Sequence, residues 1–404
     1  MIEKRLVFLF PGFEPLPVEA QVERFRRAAM RSASVWNAEL ALSEPGIRDS
    51  ASAPFAAFQA SLSTHGHTTR TDVVVCDWSD LIRAYAARPV VTRFATGLVA
   101  LGDFLVTGTV FRYLRTSWRY GLFYAFPLVM VLLALVPALF VLTWFSAMAP
   151  GPWGILMGLV AGIALAGALL WWVNRRWHLL TALDDWVMAR DFCRGRNPAL
   201  LARIERQSAE IRRRSEESDA AEIVVAGHSL GVSLAVLAVD RALREGLPAD
   251  RLHVLTVGSS LMKTALHPAA GDQRSAVRRL VVEHRLPWTD CQGLSDPINF
   301  YKSNPATSLG ITEGRTPIVV RVRFRHLVRP ETYRRIKRDF FRLHRQFVLA
   351  VERRCAYSFH MLLLGPRPLA DFAAAGTVAL PPLADAGPGS PDPAAPLAAP
   401  GGAR

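Results

Sequence analysis

Short apolar runs and amphipathic stretches alternate along most of the chain. Runs in which most positions are apolar predict strands, and apolar positions that recur about every 3.6 residues predict helices. We expect strands at residues 4–10, 72–77, 222–226, 253–257, 280–288 and 318–324, and helices at residues 19–36, 179–194, 198–217, 232–243 and 331–354. Residues 43–70, rich in Ser, Ala, Pro and Gly, predict a loop. The alternation predicts an α/β fold with a mostly parallel sheet flanked by helices.

One region departs from this alternation because it contains no charged residue and no histidine. It runs from Tyr120 to Asn174, and its length fits two membrane crossings of about 20 residues each. The Ala-Pro-Gly-Pro segment at residues 149–152 predicts a turn between them, so we expect a transmembrane hairpin with spans at about residues 120–146 and 153–174. A buried helical pair in a soluble core is the alternative, but such lengths rarely lack every ionisable residue.

Arginines flank the apolar region on both sides and set its expected orientation. Three precede it and two follow it: Arg112, Arg115, Arg119, Arg175 and Arg176. Because positive residues favour the cytoplasmic side, both ends of the hairpin and both termini of the chain are expected in the cytoplasm. The bias towards Arg and Ala is typical of a GC-rich bacterium, so the expected location is a bacterial inner membrane, with the protein multi-pass.

The hairpin divides the chain into four predicted parts. Residues 1–110 and 178–365 are the two halves of one sheet domain, and residues 111–177 are a transmembrane insertion between them. Residues 366–404 are a disordered tail rich in Pro, Ala and Gly. Residues 93–112 are apolar enough to suggest a third span, but Asp103 and the Gly and Thr content favour an interfacial or core helix. An even number of crossings also returns the chain to the side that it left.

Arginine supplies nearly all of a net charge of +14. The densest basic stretch, residues 321–345, holds ten basic and two acidic residues. The chain has no zinc-finger spacing, RNP-like aromatic motif or helix-turn-helix signature, so the charge does not indicate nucleic-acid binding. Attraction to anionic lipid headgroups and a merely solvated basic face both stay open. The four cysteines show no metal-ligand spacing, so we expect reduced thiols, no metal and no cofactor.

A strand, a serine between glycines and a helix follow one another at residues 222–243. The turn reads Gly-His-Ser-Leu-Gly, with Ser229 at its centre. A strand that turns sharply into a helix raises the serine hydroxyl above the edge of the sheet, and the glycines relieve crowding. The turn also places Ser229 at a helix N-terminus, where N–H groups favour developing negative charge. We expect a nucleophile, and a structural serine in a tight turn is the alternative.

In this setting GHSLG resembles the nucleophile elbow of lipases and esterases of the α/β-hydrolase superfamily. The resemblance covers residues 1–110 and 178–365, and it does not cover the hairpin or the tail. It implies an oxyanion hole made by the N–H of Leu230 and by a second N–H in the loop after an early strand. That loop reads FPGF at residues 10–13, with Pro-Gly in place of the usual His-Gly. Phe13 is the expected second donor, and a plain strand-ending turn is the alternative.

The superfamily's order of serine, then acid, then histidine leaves two candidates for each partner. The acid is Asp296, in a loop and followed by Pro, or Asp290. The base is His344, on an apolar helical stripe, or His326, whose basic neighbours disfavour an imidazolium. The acid-bearing loop of lipase-like members favours Asp296. Membrane-embedded bacterial members carry a similar late Leu-His-x-x-Phe/Tyr segment, which favours His344.

These residues predict a membrane-anchored serine hydrolase that cleaves an ester or thioester through an acyl-enzyme. Its expected partners are the lipid bilayer and an amphiphilic or lipid-like acyl substrate, and the sequence does not indicate an oligomeric state. One alternative is a catalytically inactive hydrolase fold that acts as a membrane scaffold or partner-binding protein. A transporter component is the other alternative, and the lack of charged residues in the two spans disfavours it.

Overall fold

A computed structural model of the chain describes residues 1–48, 55–64 and 66–374. The strands are β1 Lys4–Phe10, β2 Glu39–Leu42, β3 Gly46–Arg48, β4 Phe55–Thr64, β5 His67–Cys76, β6 Glu222–His228, β7 Leu252–Val257, β8 Trp288–Gly293 and β9 Ile318–Val322. The helices are α1 Val18–Val35, α2 Ser79–Ala86, α3 Val90–Val106, α4 Thr109–Thr116, α5 Trp118–Met148, α6 Pro152–Trp177, α7 Leu179–Cys193, α8 Pro198–Glu217, α9 Gly231–Arg244, α10 Leu261–Ala265, α11 Gly271–Arg278, α12 Phe324–Leu327, α13 Pro330–Ile336, α14 Phe340–Arg345, α15 Phe359–Leu364 and α16 Leu369–Ala374. Three short turns complete the description, a π-helical one at Arg279–Glu283 and 3₁₀ ones at Thr307–Leu309 and Gln346–Val348.

The nine strands of the described residues form one mixed sheet. Its order is β2-β4-β5-β1-β6-β7-β8-β9, and β3 also pairs with β4. From β5 to β9 neighbouring strands are parallel, whereas β2, β3 and β5 each run antiparallel to β4. Every residue of β6 and β7 is buried, as expected for parallel strands that helices cover on both faces. This α/β sheet with flanking helices fits a hydrolase-like fold.

Three stretches differ from the sequence predictions. Residues 43–70, predicted as a loop, contain β3, β4 and the start of β5, while residues 49–54 and 65 of this range lie outside the described residues. Antiparallel strands with one solvated face carry polar residues at alternate positions, which hid them in the sequence. The strand predicted at residues 280–288 is a π-helical turn until Glu283, and β8 begins only at Trp288. The long helix predicted at residues 331–354 is broken, because the Asp339 side chain caps a new helix, α14.

A buried arginine ties the central strand β1 to the C-terminal part of the described chain. Arg5 is fully buried, and its Nε donates to Glu222 Oε2 at 2.7 Å. Its other nitrogens donate to three backbone carbonyls at 2.6–3.0 Å, those of Leu363, Gly365 and Arg367. The second oxygen of Glu222 accepts from the N–H of Leu369 at 2.9 Å. Burial lowers the pKa of Arg5 and the Glu222 charge opposes that shift, so Glu222 stabilises the charged form of Arg5.

Substitution of Arg5 by Met is expected to destabilise the protein by about 3–5 kcal/mol, because it leaves Glu222 buried without its countercharge. Lys4→Met is the matched control. The neighbouring Lys4 pairs with Asp219 at an exposed position, and exposed pairs contribute only about 0–1 kcal/mol. Thermal unfolding of the purified variants, followed by circular dichroism, measures both effects. Equal shifts for the two variants would contradict this role of Arg5.

The first part of the segment predicted as a tail, residues 366–374, is described by the structure. Residues Leu369–Ala374 form α16, whose Leu369 and Phe372 are buried in the hydrophobic core. These two large apolar side chains distinguish the segment from the Ala-, Pro- and Gly-rich sequence that follows it. Residues 375–404 lie outside the described residues.

Two compact units make up the chain, residues 1–83 with 191–404, and residues 84–190. The first unit contains the sheet. The second contains α3, α4, α5, α6 and most of α7, and two of these helices are long and apolar enough to cross a membrane. They are α5, with a mean hydropathy of 2.7, and α6, with a mean hydropathy of 2.2. The crossing itself, and the domain boundaries at residues 110, 177 and 365, stay predictions.

Helices α5 and α6 pack closely through glycines spaced four residues apart. A Cβ on Gly158 would lie 2.7 Å from the Leu142 carbonyl oxygen, and one on Gly162 would lie 2.9 Å from that of Ala138. Small residues that let two helix backbones approach are typical of helix pairs in membranes. The outward faces of both helices expose large apolar side chains, among them Leu132, Leu133, Val136, Leu139, Phe140, Val160, Ile163 and Trp171.

Candidate active site

The turn between β6 and α9 holds Ser229 in a left-handed backbone conformation. Its φ is +54°, a strained value for a residue with a side chain and one that recurs at functional sites. The two flanking glycines are needed for close packing, since a Cβ on Gly227 would lie 3.0 Å from Val232 Cα and one on Gly231 would collide with the Pro11 carbonyl. The result is a half-buried serine at the carboxyl end of a central strand.

The loop after β1 lies against this turn. A Cβ on Gly12 would be 3.0 Å from Ser229 Cβ, so the glycine lets the loop approach the serine. Trp78 holds the loop, because its Nε1–H donates to the Pro11 carbonyl at 2.8 Å and its ring makes an edge contact with Phe13. Among the described residues, neither the Phe13 N–H nor the Leu230 N–H donates to a protein acceptor. The role of these two N–H groups as oxyanion donors stays a prediction.

Two of the predicted partners, His344 and Asp296, meet as a buried pair. His344 Nδ1 lies 2.7 Å from Asp296 Oδ2, and the side chains are 7% and 0% exposed. The other oxygen of Asp296 accepts from the Ile298 N–H at 2.9 Å, which fixes the plane of the carboxylate. His344 Nε2 is buried and has no hydrogen-bond partner among the described residues. An imidazole held in this way offers one basic nitrogen for a proton.

The histidine and the serine border the same backbone segment at the end of β7. The N–H of Ser229 donates to the Val257 carbonyl at 3.3 Å, and a Cβ on Gly258 would lie 3.0 Å from His344 Cε1. The ring of His228, the residue before the serine, has its centroid 4.8 Å from that of His344. Ser229 and the buried pair of His344 and Asp296 thus cluster around residues 257–258, near the carboxyl ends of β6, β7 and β8, where α/β folds bind their ligands. Among the described residues, no hydrogen bond joins Ser229 Oγ to His344 Nε2.

The alternative acid, Asp290, lies within strand β8 and its described partners do not include a histidine. Its carboxylate accepts from Thr256 Oγ1 at 2.5 Å and from Gln292 Nε2 at 2.7 Å. Burial raises the pKa of Asp290 to about 6. The alternative base, His326, is in the short helix α12, where Arg325 Nε lies 3.3 Å from its Nε2. Neither alternative is brought into the cluster around Ser229 by a described contact.

The histidine of GHSLG is a neutral, buried group beside the candidate base. Burial, with the nearby charges of His344 and Arg24, lowers the pKa of His228 well below its ordinary value. A protonated His228 would place a second positive charge next to His344, so the neutral form suits a site in which His344 itself gains a proton. Sequence reasoning did not assign His228 a role, because a histidine inside a motif carries no signal of its surroundings.

Three further residues shape the cluster and were missed in the sequence. Gly258 has φ +55° and faces the Phe347 ring, where no Cβ would fit. Asn299 holds the acid loop, since its Nδ2 donates to the carbonyls of Gly293 and Asp296 at 3.0 and 2.7 Å. Trp78 fixes the loop after β1. Asp-Pro-x-Asn at residues 296–299 was the one local signal for Asn299, whereas the roles of the other two depend on contacts from distant parts of the chain.

One protein family matches part of the chain in comparisons with known proteins. Residues 192–284 match the family model of lipase (class 3). The matched segment contains β6, the GHSLG turn, α9 and β7, and it ends before Asp296 and His344. No curated protein sequence and no solved structure is significantly similar to the chain. The match supports a lipase-like, α/β-hydrolase-type family and suggests hydrolysis of a lipid ester, with lipase or esterase activity.

Proposed function

We propose that the protein is a membrane-anchored serine hydrolase that cleaves an ester or thioester of an amphiphilic, lipid-like molecule. The observation that carries the proposal is the buried pair of His344 and Asp296, whose outer nitrogen has no described partner and which clusters with Ser229. The strained turn at Ser229 and the match to class 3 lipases support the same reaction type.

In the proposed reaction Ser229 Oγ attacks the acyl carbonyl carbon while His344 Nε2 takes the hydroxyl proton. Asp296 holds the imidazole in the tautomer that accepts this proton, and its charge stabilises the imidazolium. His344 then gives the proton to the leaving alcohol or thiol as the C–O or C–S bond breaks. Water, deprotonated by the same histidine, attacks the acyl-enzyme, releases the carboxylic acid and regenerates the Ser229 hydroxyl.

The negative charge on the carbonyl oxygen would be held by the N–H groups of Leu230 and Phe13. Their lack of a described protein acceptor supports this role. The N-terminus of α9 adds a favourable dipole at the same place. One such donor typically accounts for about 10²–10³ in kcat, because it acts on charge that develops only in the transition state.

Helices α5 and α6 would anchor the protein in a bacterial inner membrane. Their length, their hydropathy and the exposed apolar side chains on their outward faces support insertion in lipid. The arginines before and after the pair favour a hairpin whose ends, like both termini and the hydrolase unit, are cytoplasmic. An enzyme tethered in this way meets amphiphilic esters at high local concentration, which favours a lipid-like substrate.

A fluorophosphonate probe, which phosphonylates activated serines, tests the enzyme assignment in membranes that contain the full-length protein. We expect a covalent adduct on the wild type and none on Ser229→Ala. Ser260→Ala is the matched control, because its hydroxyl lies 3.5 Å from Ser229 Oγ and should be dispensable for the adduct. A folded wild type that takes no label, or a label that persists in Ser229→Ala, would instead favour the catalytically inactive scaffold.

A further inference from the structure

Helix α3 differs from an ordinary surface helix because its exposed side, like its buried side, is apolar. Such a helix directs charged residues to solvent and apolar residues inward. In α3 the charged residues are instead paired within the unit: Arg93 makes two contacts of 3.0 and 2.6 Å with Asp184 Oδ2, and Asp103 lies 3.8 Å from Arg190. Both of these partners belong to α7, and the side chains of Arg93 and Asp103 are only 13% and 14% exposed.

The opposite side of α3 is an exposed apolar stripe. Val91, Val99 and Val106 are 80%, 57% and 87% exposed. Ala95 is also exposed, and a Cβ on Gly102 would meet no atom within 4 Å. These five positions are three or four residues apart, so they form one line along the helix. We call them the α3 stripe; it contains no charged residue.

Exposed apolar side chains also lie on α4 and at the start of α5. Phe111, Leu114 and Trp118 are 61%, 39% and 60% exposed, and the exposed Arg112 and Arg115 stand between them. Apolar side chains interleaved with arginines are typical of helices that lie in the headgroup layer, where the arginines meet lipid phosphates. A surface that faces only water does not explain why exposed apolar side chains and arginines alternate directly before two helices that are apolar enough to enter lipid.

We infer that α3 and α4 lie in the plane of the membrane interface, with the α3 stripe in contact with lipid acyl chains and the arginines of α4 at anionic headgroups. The inference rests on the proposed insertion of α5 and α6. Helices α2 and α3 are long and apolar enough for a span only when taken together, and a bend of 109° separates them, which disfavours a straight third crossing. The ion pairs of α3 also tie it to α7, which carries Asp184 and Asp185 and so belongs outside the hydrocarbon.

Fluorescence quenching in vesicles tests this placement on the full-length protein. All four native cysteines are buried thiols, so single reporters can be attached to Val91→Cys, Val99→Cys and Val106→Cys. The vesicles contain phosphatidylcholine, phosphatidylserine and lipids brominated at known depths. Leu139→Cys, on an exposed face of α5, and Glu216→Cys, on an exposed face of α8, are the deep and aqueous reference positions.

We expect the three stripe reporters to be quenched by bromines near the headgroup boundary and at one common depth, about 5–10 Å below the surface. A depth that passes through the bilayer centre between Val91 and Val106 would overturn the inference in favour of a third span. If aqueous iodide alone quenches the stripe reporters, the α3 stripe is solvated and the inference is wrong. If neither quencher reaches them, the stripe is covered by a second copy or by another protein, and the inference is again wrong. If Leu139→Cys also escapes lipid quenching, the membrane anchoring itself fails, whereas lipid quenching at Leu139 without quenching at the stripe removes only this inference.

Discussion

The His344→Ala variant is expected to lose about 10⁴–10⁶-fold in kcat for ester hydrolysis, because no group remains to take the proton of Ser229. His344 Nδ1 lies 2.7 Å from a buried carboxylate, that of Asp296. The loss should fall on kcat and leave KM little changed, since the imidazole acts in the transition state and does not hold the substrate. Steady-state hydrolysis of a chromogenic acyl ester by the purified, detergent-solubilised enzyme measures both constants.

The other candidate base supplies the control. His326→Ala removes an imidazole of similar sequence position that lies in α12 beside Arg325, away from the described contacts of Ser229, so its kcat should match that of the wild type. Circular dichroism of both variants separates a catalytic loss from unfolding. If His326→Ala inactivates the enzyme and His344→Ala does not, the assignment of the base is wrong.

Substitution of Asp296 by Asn is expected to lower kcat by about 10⁴-fold while the fold is retained. A loss of this size accompanies the equivalent change in a serine protease of unrelated fold, where an amide imposes the wrong imidazole tautomer. Here the amide would face His344 Nδ1, and its NH₂ group would turn the ring proton towards Ser229. The serine could then no longer pass its proton to the ring.

Asp290→Asn is the matched control for the acid. Asp290 is just as buried, but it serves Thr256 and Gln292 within the sheet. The variant should therefore keep kcat, measured per folded molecule by titration with the fluorophosphonate probe. Loss of turnover in Asp290→Asn together with normal turnover in Asp296→Asn would exchange the two roles.

The turn around Ser229 was the easiest part of the candidate site to predict, because its signal is local. A buried strand, two glycines around a serine and an amphipathic helix stand in one run of the sequence, and the structure has β6, the strained Ser229 and α9 at those positions. The candidate acid and base gave weaker signals. Each came down to two residues, and only the fold decides which aspartate meets which histidine, since Asp296 and His344 are 48 residues apart.

Other features could not be predicted because they depend on contacts between distant segments. Nothing near Arg5 in the sequence indicates that it meets Glu222, and nothing near Gly258 indicates that the rings of Phe347 and His344 press against it. The apolar positions of α3 were visible as a pattern, but the direction of the stripe depends on the ion pairs with α7. Strand β4 was missed because its polar, small residues resemble those of a loop.

The position of β1 in the sheet has a consequence for how the protein is made. This strand lies between β5 and β6, and β6 is synthesised only after residues 84–190. One edge of β1 therefore stays unpaired until β6 has been made. Throughout that interval the nascent chain presents an open strand edge, which is a template for aggregation, and an Arg5 guanidinium whose carboxylate does not yet exist. If α5 and α6 insert into a membrane as proposed, the unfinished sheet has to be protected while that insertion takes place.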